Sequence, residues 1–281
     1  RSRGLGDVYK RQTMDDTDLI QKITAPNAGM FTGKGTNSYL IGKKDITLVD
    51  PGPNIQSHLE NIIEASSGNL KRIFVTHTHT DHSPGADPLA KRLGIPCYGN
   101  LVEHDFAMQD RTFKPDKLFT DGYVLETEEY TLEAIYTPGH ASNHFCFLVR
   151  EQQCLLSGDH IMDGSTVVIA PNDGSMKDYL DSLEKLFTYD IQSIAPGHGN
   201  LINNPQEVIQ WTIDHRLQRE KKVIDAIKKL GKCGLTRLLI SVYSDVNPKL
   251  LPIAKWSLES HLVKLIDDGV VIRKQNRYSL T

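Results

Sequence analysis

Four side chains that commonly bind metal ions lie within a stretch of seven residues, 76–82, which reads Thr-His-Thr-His-Thr-Asp-His. The candidate ligands are His77, His79, Asp81 and His82. The preceding residues, 71–75, are typical of a short buried strand, and a loop that leaves a strand is a rigid platform for a metal site. Imidazoles and a carboxylate without a thiolate suit Zn²⁺, with Mn²⁺ or Fe²⁺ as alternatives.

Three more candidate ligands occupy one kind of position further along the chain. His140, Asp159 and His198 each follow a predicted strand, and a glycine directly precedes each of them. Glycine permits the sharp turn that delivers a side chain from a strand end. Taken singly, each of the three is as readily structural as functional. Together with the loop at 77–82 they predict a dinuclear metal site.

These motifs resemble those of the metallo-β-lactamase fold hydrolases over roughly residues 25–204, and the match includes Asp50 in Leu48-Val49-Asp50-Pro51-Gly52. The resemblance implies two metal ions, one held by His77, His79 and His140 and the other by Asp81, His82 and His198. It also implies that Asp159 bridges the ions, and that Asp50 orients a ligand from outside the ligand set. Such motifs specify the fold and the metals better than the substrate, because this fold hosts many chemistries.

The resemblance also implies a mechanism of hydrolysis. Two divalent ions would lower the pKa of a bridging water, supply hydroxide and polarise the scissile bond. Asp81 would orient this hydroxide as well as bind metal. His144 either contacts the substrate or is a buried histidine that supports the ligands, and both alternatives stay open. The leaving group would take its proton from a metal-bound water or from His144. His160, beside Asp159, is expected to be a structural histidine at a strand end.

Differences between this sequence and some subgroups of the family reduce the number of possible functions. A dedicated zinc β-lactamase is disfavoured, because that class lacks a bridging carboxylate such as Asp159. Only 38 residues separate Asp159 from His198, which leaves no room for the large inserted domain of some nucleic-acid-processing members. The strings at 35–40, 139–144 and 196–199 resemble the β-lactamase-like protein 2 group, whose members are endoribonucleases specific for single-stranded RNA.

Two classes of substrate therefore stay open. The first is single-stranded RNA, and the second is a small thioester, lactone or other acyl compound, with at most weak β-lactamase activity. Residues 205–281 carry 14 Lys and Arg against 8 Asp and Glu, a net charge of +6 that could attract a phosphate backbone. Residues 14–204 carry 14 Lys and Arg against 26 Asp and Glu, a net charge of −12 that disfavours binding of RNA. A regulator with a degenerate enzyme domain is disfavoured by the complete ligand set.

The sequence predicts an α/β fold with two domains. Residues 14–204 are expected to form the four-layer αββα metallo-β-lactamase sandwich that the resemblance implies, with loops 27–36, 103–116 and 163–174 around the substrate. Residues 205–281 predict three helices and a β-ribbon, the pattern of a small winged-helix domain. That domain either binds nucleic acid or shapes the cleft or a homodimer interface.

Composition and the N-terminal residues complete the predictions. Four cysteines without a CxxC pair indicate a reducing compartment and predict a cytoplasmic protein. No apolar run approaches about 18 residues, so we expect no membrane span. Residues 1–13 resemble a translated adaptor rather than a signal peptide, and we expect the natural start at Met14.

Overall fold

Ten strands in two sheets hold the residues that the sequence singles out. The computed structural model describes residues 18–102 and 108–281, so the predicted leader at 1–13, Met14 and part of the 103–116 loop lie outside the described residues. The strands are β1 (Ile20–Thr24), β2 (Asn37–Ile41), β3 (Ile46–Val49), β4 (Leu70–Phe74), β5 (Cys97–Tyr98), β6 (Tyr123–Glu126), β7 (Thr131–Tyr136), β8 (Phe145–Val149), β9 (Cys154–Gly158) and β10 (Ser193–Pro196). One sheet has the order β1-β2-β3-β4-β5 and the other β10-β9-β8-β7-β6.

Helices cover the outer faces of both sheets, and this makes four layers. They are α1 (Gln56–Ser66), α2 (Ala86–Leu93), α3 (Met176–Leu186) and α4 (Pro205–Leu230). Every residue of β2, β3, β8 and β9 is buried, because one face of each strand meets the other sheet and the opposite face meets helices. The predicted αββα sandwich is confirmed.

Parallel pairing at two places brings the candidate ligands to one edge. Strand β3 pairs in parallel with β4, and β9 pairs in parallel with β10. Their carboxyl ends therefore lead to Asp50 and His77 in the first sheet and to Asp159 and His198 in the second. An aromatic core that includes Phe74 packs between the two sheets and holds them together.

The sequence did not indicate strand β1. Its five residues are half-buried or exposed, and Ile20 and Ile23 are its only apolar residues. It forms an antiparallel ladder with β2, so its backbone pairing rather than its side chains holds it at the sheet edge. Strand β5 is also short, since only Cys97–Tyr98 pairs with β4.

The C-terminal part follows the predicted order of elements. After α4 come the short strand β11 (Cys233–Gly234), α5 (Leu235–Val242), α6 (Leu251–Asp267), β12 (Val271–Lys274) and β13 (Arg277–Leu280). The last strands form a sheet in the order β11-β13-β12 around a separate apolar core that includes Leu238, Leu258 and Leu262. The winged-helix assignment and the boundary at 204 stay predictions.

Helix α4 connects both parts. Ile209 and Ile213 pack into the core under the second sheet, whereas Val223 and Ile227 belong to the C-terminal core. Pro205 occupies the first turn of α4, and the Asn204 side chain makes no cap because its amide donates to Glu207 instead.

Two predictions from composition can be compared with the structure. All four cysteines are buried and free of disulfides. In the part of the chain that the structure describes, no helix has the combined length and apolarity that crossing a membrane requires.

Candidate metal centre

Three imidazoles converge at the first of two adjacent positions. His77 and His79 come from the loop after β4, and His140 comes from the turn after β7. The Nδ1 atom of His79 lies 3.0 Å from Nε2 of His77 and 3.0 Å from Nε2 of His140. Nitrogens bound to one tetrahedral zinc ion at about 2.0–2.1 Å lie about 3.3 Å apart, which is close to this spacing.

Two more histidines and two carboxylates form the second position. The Nε2 atom of His198 lies 3.2 Å from Oδ2 of Asp81, and Nε2 of His82 lies 3.5 Å from the same oxygen. Oδ1 of Asp159 is 3.3 Å from both imidazole nitrogens. These atoms make a mixed nitrogen and oxygen set that suits a divalent metal ion.

Asp159 connects the two positions. While Oδ1 faces His82 and His198, its Oδ2 lies 3.7 Å from Nε2 of His140 in the first group. Each carboxylate oxygen is therefore directed to a different group of histidines. This is the arrangement that a bridging carboxylate requires.

Outer hydrogen bonds fix which ring nitrogen points inward. Nδ1 of His82 donates to Asp50 at 2.8 Å, Nδ1 of His140 donates to the Val168 carbonyl at 2.6 Å, and Nδ1 of His198 donates to the Gly35 carbonyl at 3.2 Å. In the neutral form of each ring, which is the form that binds metal, Nε2 then has a lone pair that faces the centre of its group. Asp50 thus lies where the resemblance implies.

Thr76 extends the same pattern to His77. Its hydroxyl donates to Asp50 at 2.8 Å and lies 2.9 Å from Nδ1 of His77, so it can accept that ring N–H. The Nε2 atom of His77 is then free of a proton as well. One buried carboxylate therefore orients ligands of both positions.

The charges of the second position favour a cation. Burial alone would lower the pKa of His82, but Asp81, Asp159 and Asp50 outweigh it and raise the pKa well above its ordinary value. Burial alone would likewise lower the pKa of His198, but Asp159 and Asp81 outweigh it and raise the pKa to about 10. Protons on these imidazoles balance the carboxylates, a balance that a bound metal ion would supply instead.

The first position has the opposite tendency. Burial and the neighbouring His82 lower the pKa of His77 well below its ordinary value, and burial with His79 lowers the pKa of His140 to about 4. These imidazoles are therefore neutral at pH 7, which is the form that binds metal. A metal ion between the three nitrogens would bind the lone pairs that their rings direct toward one another.

The donor set fits two metal ions. Three groupings of the ligand atoms lie within 4.8 Å of one another: His77, His79 and His140; His77, His82 and Asp159; Asp81, His82 and His198. Nε2 of His82 and Oδ1 of Asp159 are buried and have no hydrogen-bond partner among the described residues. The structure thus brings together all seven predicted ligands.

His144 is buried beside the candidate ligand His77. Its side chain has no exposed surface, its Nδ1 atom lies 3.0 Å from the Thr137 hydroxyl, and its ring centre is 5.1 Å from that of His77. This position favours the buried alternative, while the proton-donor role stays a prediction. His160 is also fully buried, with its ring 4.9 Å from that of Tyr179.

Glycines before the ligands allow close packing. Gly139, before His140, has φ of 140°, and a Cβ atom there would lie 2.4 Å from Cα of Tyr179. Gly197, before His198, would place a Cβ atom 2.7 Å from Oδ1 of Asp159. At both predicted turns the backbone therefore packs closely against a neighbouring residue, and a larger side chain would not fit.

Three residues of the site could not be identified from the sequence. Thr36 lies 3.3 Å from Oδ2 of Asp81 through its hydroxyl, Asp173 lies 3.7 Å from Nε2 of His79, and the Val168 carbonyl holds His140. They come from loops 27–36 and 163–174, which were predicted to surround the substrate. A loop prediction cannot tell which of its residues turns inward.

Comparison with known proteins agrees with this geometry. The family model of the metallo-beta-lactamase superfamily matches residues 31–198. The chain belongs to this superfamily. A beta-lactamase-like protein 2 homolog from Caenorhabditis elegans is 31% identical, over 91% of this chain and 86% of its own length. An atrochrysone carboxyl ACP thioesterase from Aspergillus novofumigatus is 28% identical, over 90% of this chain and 80% of its own.

Solved structures show the same fold. A metallo-beta-lactamase family protein from Thermus thermophilus superposes with a TM-score of 0.76 at 20% identity, over 94% of this chain and 99% of that one. A beta-lactamase domain protein from Burkholderia ambifaria gives 0.80 at 18% identity, over 94% and 91%. Membership of the superfamily makes this protein a metal-dependent hydrolase, which confirms that part of the prediction.

Proposed function

We propose that this hydrolase works with two divalent metal ions, which we expect to be zinc, and that Asp159 bridges them. The observation that carries the proposal is the position of Asp159, whose two oxygens face separate groups of histidines. Two bound ions would activate a water molecule near neutral pH and polarise the scissile bond. The seven ligands are His77, His79, Asp81, His82, His140, Asp159 and His198.

Asp81 is the ligand best placed to act on water. Its side chain is 22% exposed, whereas the rings of His82 and His198 are 0% and 3% exposed. Its Oδ2 atom accepts a hydrogen bond from Thr36, which holds the carboxylate at the rim of the site. Burial opposes ionisation of Asp81, but His82 and His198 lower its pKa to about 2. An ionised carboxylate can accept and orient an O–H group throughout the physiological pH range.

Single-stranded RNA is the substrate that we propose first. Two relatives named as beta-lactamase-like protein 2 homologs align over about nine-tenths of this chain, at 31% and 29% identity. The alignment extends into the C-terminal part, which has a net charge of +6. A basic surface next to a metal centre would favour a polyanionic substrate.

A thioester or another small acyl compound is the second candidate. The relatives named as thioesterases align over most of this chain, and the net charge of −12 on residues 14–204 disfavours a polyanion. The 27–36 loop also presents Met30 and Phe31, which are 73% and 44% exposed. Gly35 and Thr36 of the same loop contact His198 and Asp81, so this apolar tip adjoins the site.

One experiment separates the substrates and tests the metal centre. Zinc-loaded protein is given a fluorescent single-stranded RNA and, separately, a panel of thioesters and lactones. His79→Ala and Asp159→Ala should each lower the turnover of the true substrate by about 100-fold or more. Asp225→Ala, at an exposed position of α4, is the control and should leave it unchanged.

Each outcome decides a different part of the proposal. RNA cleavage that both ligand variants lose supports the endoribonuclease. The acyl hydrolase is supported if the wild type leaves the RNA intact but turns over a thioester or lactone, and both ligand variants lose that turnover. Turnover that survives in both variants, with folding checked by circular dichroism, would contradict the dinuclear centre itself.

A further inference from the structure

A cavity lies between the 163–174 loop and the C-terminal elements. Its volume is about 200 Å³, and its lining includes Val167 and Val168 of the loop, Arg216 and Arg219 of α4, and residues of the C-terminal part. None of the seven candidate metal ligands lines it. It is large enough for several water molecules at about 30 Å³ each, or for a small ligand.

Arg216 is a buried cation in the lining of this cavity. The residue is only 3% exposed, and its guanidinium donates to the Val167 carbonyl and lies 5.4 Å from the ring centre of Tyr179. Its Nε atom has no hydrogen-bond partner among the described residues, and none of their carboxylates forms an ion pair with it. A buried charge without a counter-ion is costly, so an anion in the cavity would stabilise it.

The other charged groups around Arg216 leave an excess of positive charge. Arg219 lies 4.4 Å from the ring centre of Tyr243, and its nearest acid is Asp245, at 3.6 Å and half-exposed. His215 also lines the cavity. Glu220, a half-buried acid of the same helix segment, is already paired with Lys264 at 3.1 Å. Thus no carboxylate lines the cavity beside its two arginines.

The remaining walls are mainly apolar. Val246, Leu250, Ile253 and Ala254 line the cavity together with the ring of Tyr243. Such walls are suited to hydrocarbon rather than to a hydrated inorganic ion. Two arginines without a carboxylate, among mainly apolar side chains, indicate an amphipathic ligand with a single negative group.

We propose that this cavity binds a carboxylate carried on a short apolar chain. The carboxylate pairs with Arg216 and Arg219, because a guanidinium fork matches the geometry of a carboxylate. The chain lies against Leu250 and Ile253. This site does not depend on the substrate of the metal centre, although one peptide links the two places: Val167 holds Arg216 and Val168 holds His140.

Titration calorimetry with hexanoate tests the proposal on the zinc-loaded full chain. Hexanoate should bind at one site, whereas inorganic phosphate, which lacks the chain, and hexylamine, which has the opposite charge, should bind at least tenfold more weakly. Carboxylates can also bind metal ions, so His79→Ala is titrated in parallel. Binding in the cavity should persist in that variant.

Variants of the cavity give the decisive comparison. Arg216→Gln and Leu250→Trp should each weaken hexanoate binding at least tenfold, since one removes the charge and the other fills the cavity from its rim. Lys229→Gln, at an exposed position of the same helix, should bind like the wild type. If Arg216→Gln does not fold, Arg219→Gln and Leu250→Trp carry the test.

The proposal is overturned by any of three results. Hexanoate fails to bind the wild type, it binds the folded cavity variants as tightly as the wild type, or its binding disappears in His79→Ala. The last result would place hexanoate at the metal centre. Equal binding of phosphate would overturn the assignment of the apolar chain.

Discussion

The Nδ1 atom of His82 lies 2.8 Å from Oδ2 of Asp50, and the same carboxylate accepts the backbone N–H and the hydroxyl of Thr76, each at 2.8 Å. Asp50 therefore fixes the ring of His82 directly and that of His77 through the Thr76 hydroxyl. It is not itself a ligand, yet both candidate metal positions depend on its charge and orientation.

Substitution of Asp50 should therefore weaken metal binding without unfolding the protein. Asp50 has φ of 52°, a conformation that asparagine also tolerates, so Asp50→Asn removes the charge and preserves the backbone. We expect the zinc affinity to fall by about 10–100-fold. Competition with a chromophoric chelator measures it. Asp116→Asn, whose carboxylate holds the backbone N–H of Cys97, is the matched control, and equal affinities in the two variants would contradict the role of Asp50.

Zinc binding near pH 7 should release protons. His82 and His198 have pKa values raised above the ordinary value of about 6.5, that of His198 to about 10. At pH 7 both rings of the metal-free protein therefore carry a second proton, on Nε2. Zinc binds the neutral ring and must displace that proton. The apparent zinc affinity should therefore rise with pH between about 6.5 and 10. Calorimetry in buffers of different ionisation enthalpy counts the protons, and an affinity independent of pH would exclude this charge balance.

The same groups should make the stability of the metal-free protein depend on pH. A histidine whose pKa rises on folding stabilises the folded state below the unfolded pKa of about 6.5, and this contribution disappears as the pH rises through the folded value of about 10. Asp81, with its pKa lowered to about 2, contributes above about pH 3.9 and loses that contribution under acid. The melting temperature of chelator-treated protein should thus fall from pH 6.5 to 9, and saturating zinc should reduce this fall. Equal slopes with and without zinc would contradict the prediction.

Much of the metal centre could be predicted because its ligands follow strands. His77, His140, Asp159 and His198 each come from the carboxyl end of a strand, and glycine or a run of histidines marks those ends in the sequence. Parallel pairing then brings two such ends to one edge of each sheet. Local sequence and strand pairing therefore determine the position of the ligands together.

Other parts depend on contacts between distant segments. Asp173 reaches His79 because Gln109 and Ser142 hold its carboxylate from two other loops, and nothing near residue 173 indicates this. Arg216 is one of several basic residues on α4, and its contacts with Val167 of the 163–174 loop and Tyr179 of α3 cannot be read from the sequence around it. Strand β1 has too few apolar residues to be predicted and depends on its hydrogen bonds to β2.

Gly139→Ala should damage the site through the backbone. The residue has φ of 140°, which only glycine adopts readily, and an added Cβ atom would lie 2.4 Å from Cα of Tyr179. We expect the free energy of unfolding to fall by about 2 kcal/mol or more. Gly94→Ala is the control, because Gly94 has φ of 65° and nothing within 4 Å of the added atom, so strain alone should cost about 1 kcal/mol. Chemical denaturation measures both, and equal losses would show that the contact with Tyr179 is unimportant.

Substitution of His144 distinguishes two roles for this residue, a proton donor and a buried residue that supports the ligands. It is fully buried and lies beside His77. Burial and the neighbouring His160 lower its pKa well below the ordinary value, so the ring is neutral near pH 7 and has no imidazolium proton to donate. We expect His144→Ala to reduce the turnover of substrates with good and poor leaving groups by the same factor, since the defect lies in the position of His77. Paired substrates that differ only in the pKa of the leaving group measure this, with His160→Ala as the buried control. A loss confined to the poor leaving group would instead establish His144 as the proton donor, since only that substrate needs a proton in the bond-breaking step.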